Sequence, residues 1–459
     1  MPVNTPSAAY IDNAEKWRDV RACIAGSKKI KEGGVAFLSM HNPSDQSREN
    51  KLKYEAYKEN ALFVNYTART RNTLVGLAFA KDADIKLPSS IAYLEDDATG
   101  DGVSLEQVGK NGTGELLEVG NTGYLANYPI AEVGLTAEQV ESMNLRANMK
   151  EYKAESILSW KTKTIGSDNV LVQIVLAEEV DKPVDEFSSE IEIQYRVLRL
   201  NNGIYTQQIY NEIEAITEEI QVRTFSGEAQ TFIPFYFAGA YSNDPCIDDA
   251  PLYDIARVNI GHYRNSAEYE NSIRMIGNPQ AYLAGSFHGA PPENLLFGTS
   301  TAWVMQEGGQ AGLIQVAPNT LAKEGMGAKE EQIVSIGARL VVAGGQAETA
   351  EAARLKFAGD TSVLQNITQN VSEAITKCLK ACLLYMSPGS NQEVVFNVNE
   401  EFYTKTPDPQ LIGQMIMLQD RGTIAQSDTR DYLRASGAIA DSRTDEDIDA
   451  EAGLANPIG

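Results

Sequence analysis

Cysteine and histidine, which form disulfide bonds and zinc-type metal sites, are scarce in this sequence of 459 residues. It has four cysteines and three histidines, which are widely separated except for Cys378 and Cys382. Four scattered cysteines are too few for a disulfide framework, so we expect a reducing compartment. Cys378 and Cys382 lie one helical turn apart and could share a soft metal, but core packing is the stronger interpretation without a third ligand nearby. We expect no metal site and no cofactor.

Familiar catalytic motifs are also missing. There is no phosphate-binding loop, because Gly109-Lys110 is followed by Asn111, and there is no H-E-x-x-H sequence. Ser286 and His288 are too close together to suggest a hydrolase triad. Residues 97–108 partly resemble a calcium-binding loop, but Val108 occupies the position of the bidentate carboxylate. We therefore expect no catalytic residues and no enzymatic activity.

Long apolar runs and positive charge are in short supply as well. No apolar run approaches the ~18 residues of a membrane helix, and the first ten residues do not suggest a signal peptide. The chain has 63 acidic and 39 basic residues, a net charge of −24. Tight binding of DNA phosphates requires an excess of basic residues, which this chain lacks. It could still surround DNA without binding it tightly. A highly soluble acidic surface is the simpler interpretation.

The pattern of apolar residues predicts helices first and then a sheet. Residues 48–79 and 104–125 each have a helical period, whereas residues 157–237 alternate between apolar and polar positions. Asn202-Gly203 joins two alternating runs and is a strong β-hairpin signal. The sequence therefore predicts an α+β fold with a predominantly antiparallel sheet.

A helix predicted from Pro251 to Ile276 is unusually polar. Asp249-Ala250-Pro251 opens it, and its few apolar residues are spread among charged and polar ones. A helix of ~25 residues with so little apolar surface is poorly stabilised by its own domain. Our hypothesis is that its partners are other copies of the same helix in an oligomer.

The following part of the chain predicts a loop held by helices. A glycine- and proline-rich stretch, 277–327, precedes a short helix, 328–340, and a glycine-tipped loop, 341–347. A long helix is predicted over 348–386, with a kink at Gly359-Asp360. Its second half carries an apolar stripe of Leu364, Ile367, Val371, Ala374, Cys378 and Cys382. A strand over 393–402, two short helices and a solvated acidic tail complete the chain.

This order of elements resembles the portal proteins of tailed bacteriophages, also called head-to-tail connectors, over nearly the whole chain. Short segments agree with one phage subgroup of that family. They are Trp17-Arg18-Asp19-Val20, Tyr57-Lys58 with Ala61-Leu62-Phe63, Tyr152-Lys153-Ala154-Glu155-Ser156-Ile157, Pro251-Leu252-Tyr253-Asp254-Ile255-Ala256 leading into His262-Tyr263-Arg264-Asn265-Ser266, and Gly359-Asp360-Thr361-Ser362.

The resemblance implies a portal fold with a helical wing and antiparallel sheet, stem helices, a small clip and a C-terminal crown. Carried onto this chain, it implies a wing at 1–248, a first stem helix at 249–276, a clip at 277–327, a second stem helix at 328–340, a tunnel loop at 341–347, a long wing helix with its return strand at 348–402, and a crown with an acidic tail at 403–459.

It also implies roles for individual residues. The tunnel loop that faces DNA would contain Val341, Val342, Ala343, Gly344, Gly345 and Gln346. Lys329 and Arg339 could touch the DNA backbone, although pairing with Glu330, Glu331 or a neighbouring subunit is the stronger interpretation. The residues expected in the oligomeric stem are Leu252, Ile255, Arg257, His262 and Arg264.

The function implied is that of a ring, usually of twelve copies, at one vertex of a capsid. Double-stranded DNA would pass through it during packaging and ejection, without sequence specificity. The expected partners are the terminase large subunit, then head-tail adaptors, and the major capsid and scaffolding proteins, with no membrane. The expected location is the portal vertex of the virion, and the host cytoplasm during assembly.

Two other interpretations stay open. The chain could be a different virion structural protein, such as a head-tail adaptor or a minor capsid protein, although these are usually shorter. It could also be a soluble enzyme of unrecognised chemistry, which would require a pocket with converging polar groups.

Overall fold

The structure, a computed structural model, is a mixture of helices and antiparallel sheets, in agreement with the α+β prediction. It describes residues 2–129, 143, 145–224, 226–277, 280–284, 308–314, 320–341, 362–399, 402, 409–435, 438–439 and 443–455. The chain divides into two compact units, Met1–Val398 and Asn399–Gly459.

The described part of the first unit contains eight α-helices. They are α1 (Ala8–Ala25), α2 (Ser27–Glu32), α3 (Arg48–Asn60), α4 (Tyr66–Ala78), α5 (Leu105–Val119), α6 (Tyr253–Gly277), α7 (Leu321–Val341) and α8 (Val363–Met386).

Its strands are β1 (Asp84–Lys86), β2 (Asn121–Asn127), β3 (Asn148–Lys153), β4 (Ile157–Ile165), β5 (Asp168–Pro183), β6 (Ser189–Asn201), β7 (Ile204–Tyr210), β8 (Ile220–Gln221), β9 (Phe235–Gly239), β10 (Gln280–Ala284), β11 (Gln310–Ile314) and β12 (Val395–Asn397). They form a five-stranded sheet in the order β4-β5-β6-β7-β8, a three-stranded sheet in the order β3-β2-β9, and the two-stranded sheets β1-β12 and β10-β11.

The predicted hairpin at Asn202-Gly203 is confirmed. β6 and β7 pair antiparallel up to Asn201 and Ile204, which leaves two residues for the turn. Asn202 has φ 50° and Gly203 has φ 79°. Positive φ at both central residues suits a tight turn that follows the twist of the strands, and Asn-Gly adopts it at little cost.

The core of the first unit forms around α8, whose apolar stripe packs against β2, β9 and α5. Leu364, Ile367, Val371 and Cys378 are completely buried, as their spacing predicts. The helix begins after Ser362, whose side chain accepts a hydrogen bond from the Gln365 N–H. The predicted earlier part of this helix and its kink at Gly359-Asp360 lie outside the described residues.

Two predicted helices end sooner than expected. The pattern over 48–79 is divided into α3 and α4, because Asn65 caps a new helix by accepting from the Ala68 N–H at 2.9 Å. The pattern over 104–125 ends at Val119. Gly120 takes a left-handed conformation with φ 76°, and β2 begins at the next residue.

The second unit contains α9 (Pro409–Asp420), α10 (Gln426–Ala435) and α11 (Asp445–Ala455). The acidic tail is largely exposed, as predicted, but its described part is helical and paired with cations. Arg430 and Arg434 on α10 form ion pairs with Asp449 and Asp445 on α11. These ion pairs offset the repulsion between the acidic side chains of α11.

Candidate functional site: the paired stem helices

Helices α6 and α7 lie side by side in opposite directions, and we call them the stem pair. Three contacts define their register: Ile255 lies near Gly337, His262 near Glu330, and Asn265 near Gly325. Glycine allows the close approach, because a Cβ added at Gly325 would lie 2.6 Å from the Asn265 Nδ2. Gly325, which weakens the helical signal of α7, therefore serves the packing of α7 against α6.

The segment that joins α6 to α7 includes the antiparallel pair of strands β10 and β11, which falls within the predicted clip. Most other residues of the predicted clip lie outside the described residues. α7 begins at Leu321 rather than at Ala328, so the predicted start of the second stem helix was seven residues late. Glu324 supports this first turn, because its N–H donates to the Thr320 carbonyl oxygen and its carboxylate accepts from the Thr320 hydroxyl.

The first fifteen residues of α6 are embedded in their own chain, contrary to the expectation that this helix lacks partners. Leu252 and Ile255 are completely buried, and so are the polar residues Asn259 and His262. α1, α3, α4 and α7 surround this part of the helix. The polar residues that seemed to make α6 a surface helix are in fact held by hydrogen bonds within the subunit.

Asn259 joins α6 to the start of α4. Its Oδ1 accepts from the N–H groups of Tyr66 and Thr67 at 3.1 and 3.2 Å, and from the Thr67 hydroxyl at 3.0 Å. Its Nδ2 donates to the Val64 carbonyl oxygen at 2.8 Å. The first N–H groups of a helix lack partners within the helix, so Asn259 acts as a second cap supplied from a distant part of the chain.

The two predicted stem arginines hold α6 against the N-terminal helices. Arg257 forms an ion pair at 3.1 Å with Asp19, a buried carboxylate that also pairs with Arg18. Arg264 Nε donates to the Phe37 carbonyl oxygen at 2.8 Å. In this subunit both arginines therefore have structural partners in the same chain.

His262 lies between the two stem helices. Its Nε2 is 3.2 Å from the Glu330 carboxylate, which also accepts from the Tyr66 hydroxyl at 2.7 Å. The imidazole meets the Tyr66 ring edge to face, with 5.3 Å between ring centroids. Burial lowers the pKa of His262 below its ordinary value of 6.5, against the opposing effect of Glu330. The neutral imidazole is therefore the form that this site favours near pH 7.

The unburied surface of the stem pair belongs to α7 and to the far end of α6. Among the described side chains, none of those in 321–332 or 268–277 is buried. Leu321 and Val334 are each 71% exposed. The expectation of a stem surface that needs partners thus applies to α7 and the last ten residues of α6 rather than to α6 as a whole.

The predicted DNA contacts are only partly described. Lys329 is half-buried, its aliphatic chain lies against Gly261, and its Nζ is 3.5 Å from the Gly325 carbonyl oxygen. Arg339 is exposed. Val341 is the last residue of α7, and the remaining tunnel-loop residues, Val342 to Gln346, lie outside the described residues. Their contact with DNA stays a prediction.

The described residues contain no cluster of three or more metal-binding side chains. Cys378 and Cys382 are both buried within α8, in agreement with core packing. In the possible calcium loop, Asp97 Oδ1 instead accepts from the N–H groups of Gly100 and Gly102. No helix in the described ranges is both long and apolar enough to span a bilayer.

Residues 251–386 match a protein family described only as a domain of unknown function (DUF4055). This match covers less than a third of the chain and runs from just before α6 to the last residue of α8. No curated protein is significantly similar to the chain.

The solved structures that are similar to the chain include three with low sequence identity. One is the neck of an empty gene transfer agent particle computed with C6 symmetry, with 13% identity and a TM-score of 0.38, covering 80% of this chain and 88% of that chain. The neck of the native particle computed with C12 symmetry has 14% identity and a TM-score of 0.38, covering 80% and 89%. The virion of the native particle has 13% identity and a TM-score of 0.41, covering 88% and 98%.

Proposed function

We propose that the chain is the subunit of a portal ring, a structural component of a tailed-phage capsid rather than an enzyme. Copies of the chain would surround a channel through which double-stranded DNA is packaged and ejected. The ring would occupy one vertex of the capsid and dock the terminase large subunit first and head-tail adaptors later. The capsid and scaffolding proteins would be its other neighbours during assembly.

The stem pair is the observation that carries this proposal. One side of α6 is anchored to the N-terminal helices by Asn259, Arg257 and Arg264, whereas none of the side chains described in 321–332 on α7 is buried. Exposed apolar side chains such as Val334 gain stability when a neighbouring copy covers them. A ring provides every copy with such a neighbour and leaves no stem surface without one.

The charges of the stem pair suit a channel for DNA. α6 carries three acidic and three basic residues, and α7 carries three of each as well. Tight phosphate binding requires an excess of cations, which neither helix has. A charge-balanced wall in a chain of net charge −24 would let DNA slide without holding it.

The last part of the proposal concerns the predicted tunnel loop after α7. The sequence from Val342 to Gln346 contains two glycines and no charged residue. Such a segment bends readily and presents no cation to a phosphate. We propose that it narrows the channel and follows DNA, with Arg339 near the DNA backbone at its base.

Electron microscopy of the purified chain tests the proposal. We expect annular particles with an axial opening wide enough for a double helix, and native mass spectrometry should give one defined copy number. A ring with no constriction inside the channel would favour a head-tail adaptor instead. Subunits that stay monomeric at every concentration would rule out both.

A matched loop variant tests the role of the channel separately from assembly. Replacement of Gly344 and Gly345 by proline should leave the rings intact but impair genome packaging or retention. The same replacement by alanine keeps the loop small and should have a weaker effect. Unchanged phage yield with the proline variant would contradict the role assigned to the loop.

A further inference from the structure

The three-stranded sheet carries a glutamate on the face that packs against α5. Glu151 on β3 lies directly opposite Tyr124 on β2 in the antiparallel register. Tyr124 is completely buried, and a Cβ added at Gly112 on α5 would overlap its hydroxyl. The side chains of directly opposed residues lie on the same face of a sheet. Glu151 therefore lies, like Tyr124, at the interface between the sheet and α5.

Polar atoms at this interface are buried without partners. Among the described residues, neither Oε1 of Glu151 nor the hydroxyl of Tyr124 has a hydrogen-bond partner, although both atoms are buried. The Asn111 side chain hydrogen-bonds to the Glu151 carboxyl group, and Asn111 Oδ1 accepts from Gln107 Nε2 at 2.8 Å. An ionised carboxylate with a buried oxygen that accepts no hydrogen bond is costly. The surroundings thus favour a carboxyl group that carries a proton.

The charged groups around Glu151 favour the neutral form as well. Glu115 on α5 is buried, and its charge acts on Glu151. The arginines of this region already serve other carboxylates: Arg21 pairs with Glu115, Glu118 and Glu155, and Arg71 pairs with Glu118. On the side of α8, burial raises the pKa of the Cys378 thiol, which is therefore uncharged. Lys153 on β3 favours the charged form of Glu151, but from an exposed position.

These surroundings change the acidity of Glu151. Burial and the charge of Glu115 raise its pKa to about 8, against the smaller opposing effects of Asn111 and Lys153. In the unfolded chain the same carboxyl group ionises near its ordinary pKa of 4.5. Between these two values, the folded chain holds a proton at Glu151 that the unfolded chain has released.

We propose that Glu151 is a neutral carboxylic acid in the folded chain and acts as a proton-dependent latch between β3 and α5. In the protonated form, its hydroxyl group supplies a hydrogen-bond donor at a site with buried oxygens and adds no charge next to Glu115. Loss of the proton to solvent leaves two carboxylates close together at a buried interface, and the contact between α5 and the sheet weakens.

The latch also affects α6. The Leu117 carbonyl oxygen on α5 accepts from the Leu252 N–H, just before α6, at 3.1 Å. A looser α5 therefore gives the start of α6 a weaker support. The latch operates within a single chain and does not depend on the proposed ring.

Glu151→Gln tests the latch, because the amide keeps the shape of the protonated carboxyl group and cannot ionise. The equilibrium constant for unfolding of the wild type, divided by that of the variant, should rise about tenfold per pH unit between about pH 5.5 and pH 7 and level off above about pH 8. Urea unfolding of the full chain from pH 5 to pH 9.5 measures this ratio. A ratio that is constant, or that falls as the pH rises, would overturn the proposal.

A matched control and a spectroscopic measurement identify the proton itself. Glu95 is exposed, so Glu95→Gln should give a ratio that does not change with pH. The infrared C=O absorption of a protonated carboxyl group in the folded chain near pH 6.5 should be weaker in Glu151→Gln than in the wild type and in Glu95→Gln. Identical spectra from all three chains would show that Glu151 is ionised and would overturn the proposal.

Deuterium uptake tests whether the proton holds α5 in place. At pH 9, the amides of α5 should exchange faster in the wild type than in Glu151→Gln, and at pH 6 they should exchange equally in both. Comparison at one pH removes the effect of pH on the chemical rate of exchange, and the amides of α3 serve as an internal control. Equal uptake by α5 at pH 9 would overturn its role as a latch.

Discussion

α8 and α6 are helices of similar length that reach burial by different chemistry. α8 buries an apolar stripe, whereas α6 buries Asn259, His262 and Ser266 among its apolar residues. The spacing of apolar residues predicts the first kind of burial directly. The second kind depends on hydrogen-bond partners from other parts of the chain, which no local pattern reveals. A polar helix is therefore not necessarily a surface helix.

A cavity in α8 should have the largest effect on stability. Leu379 is completely buried, so Leu379→Ala should lower the free energy of unfolding by about 2–5 kcal/mol. Urea unfolding below the concentration for assembly would measure this loss. Val334→Ala removes similar apolar volume from an exposed position and should change it by about 0.5 kcal/mol or less. Equal losses of stability in Leu379→Ala and Val334→Ala would contradict the assignment of Leu379 to the core.

Loss of the cap that Asn259 provides for α4 should have the next largest effect on the free energy of unfolding. Asn259→Leu keeps the approximate volume but leaves the N–H groups of Tyr66 and Thr67 without this partner, at a cost of about 1–3 kcal/mol. Asn259→Asp retains the accepting oxygen near the N-terminus of α4, but it buries a carboxylate and turns the donor to Val64 into an oxygen that faces a carbonyl oxygen. Asn259→Ala, which removes both groups without adding a charge, is therefore the cleaner second variant. A leucine variant as stable as the wild type would show that α6 tolerates an apolar residue here.

The third comparison concerns pH. The pKa of His262 is lowered in the folded chain, so the unfolded chain binds the proton more readily. The contribution of His262 to stability should be constant above pH 6.5 and should fall as the pH decreases below it, by at most about 1.4 kcal/mol per pH unit. Glu151 contributes with the opposite sign, because burial raises its pKa to about 8 and stability is lost as the pH rises towards that value. The difference in free energy of unfolding between the wild type and His262→Gln, measured with urea from pH 5 to pH 8, isolates the part due to His262. A difference that does not change with pH would contradict this assignment.

The smallest effect on the fold should come from the exposed surface of α7. Val334→Ser should change the free energy of unfolding of the separate subunit by about 0.5 kcal/mol or less. The same variant should raise the chain concentration that is needed to assemble the proposed ring, because it removes apolar surface from the proposed contact between copies. Sedimentation velocity over a range of concentrations would measure this, with Ser335→Ala as a control. If the variant left the concentration dependence of assembly unchanged, this part of α7 would not lie in the proposed contact between copies.

Local signals predicted the parts of the fold that they physically determine. The Asn202-Gly203 turn follows from backbone preferences, and the stripe of α8 follows from periodic burial. The start of α7 was placed too late, because Gly325 and Gly327 read as loop residues although close packing against α6 accommodates the first of them. The boundary between α3 and α4 was missed because the helical spacing of apolar residues continues on both sides of Asn65. A capping asparagine between them does not interrupt that spacing.

The candidate site was predictable to a smaller extent. Leu252 and Ile255 are apolar and were predicted to pack in an oligomeric stem, but the structure buries both of them within their own chain. The roles of Arg257 and Asn259 depend on Asp19 and Thr67, which lie about 190 residues or more away in the sequence. A single sequence contains no local signal for such partners, and sequence analysis accordingly missed Asn259 altogether.

The link between Asn259 and the first amides of α4 makes those amides reporters of α6. Tilting or withdrawing this part of α6 would remove Asn259 as an acceptor and expose the Tyr66 and Thr67 N–H groups to solvent, with the Val64 carbonyl oxygen as the remaining acceptor for Tyr66. Their deuterium uptake would then rise while the amides in the middle of α4 stayed protected. Motion of α6 could thus be followed over time from the first amides of α4, a helix about 190 residues earlier in the sequence.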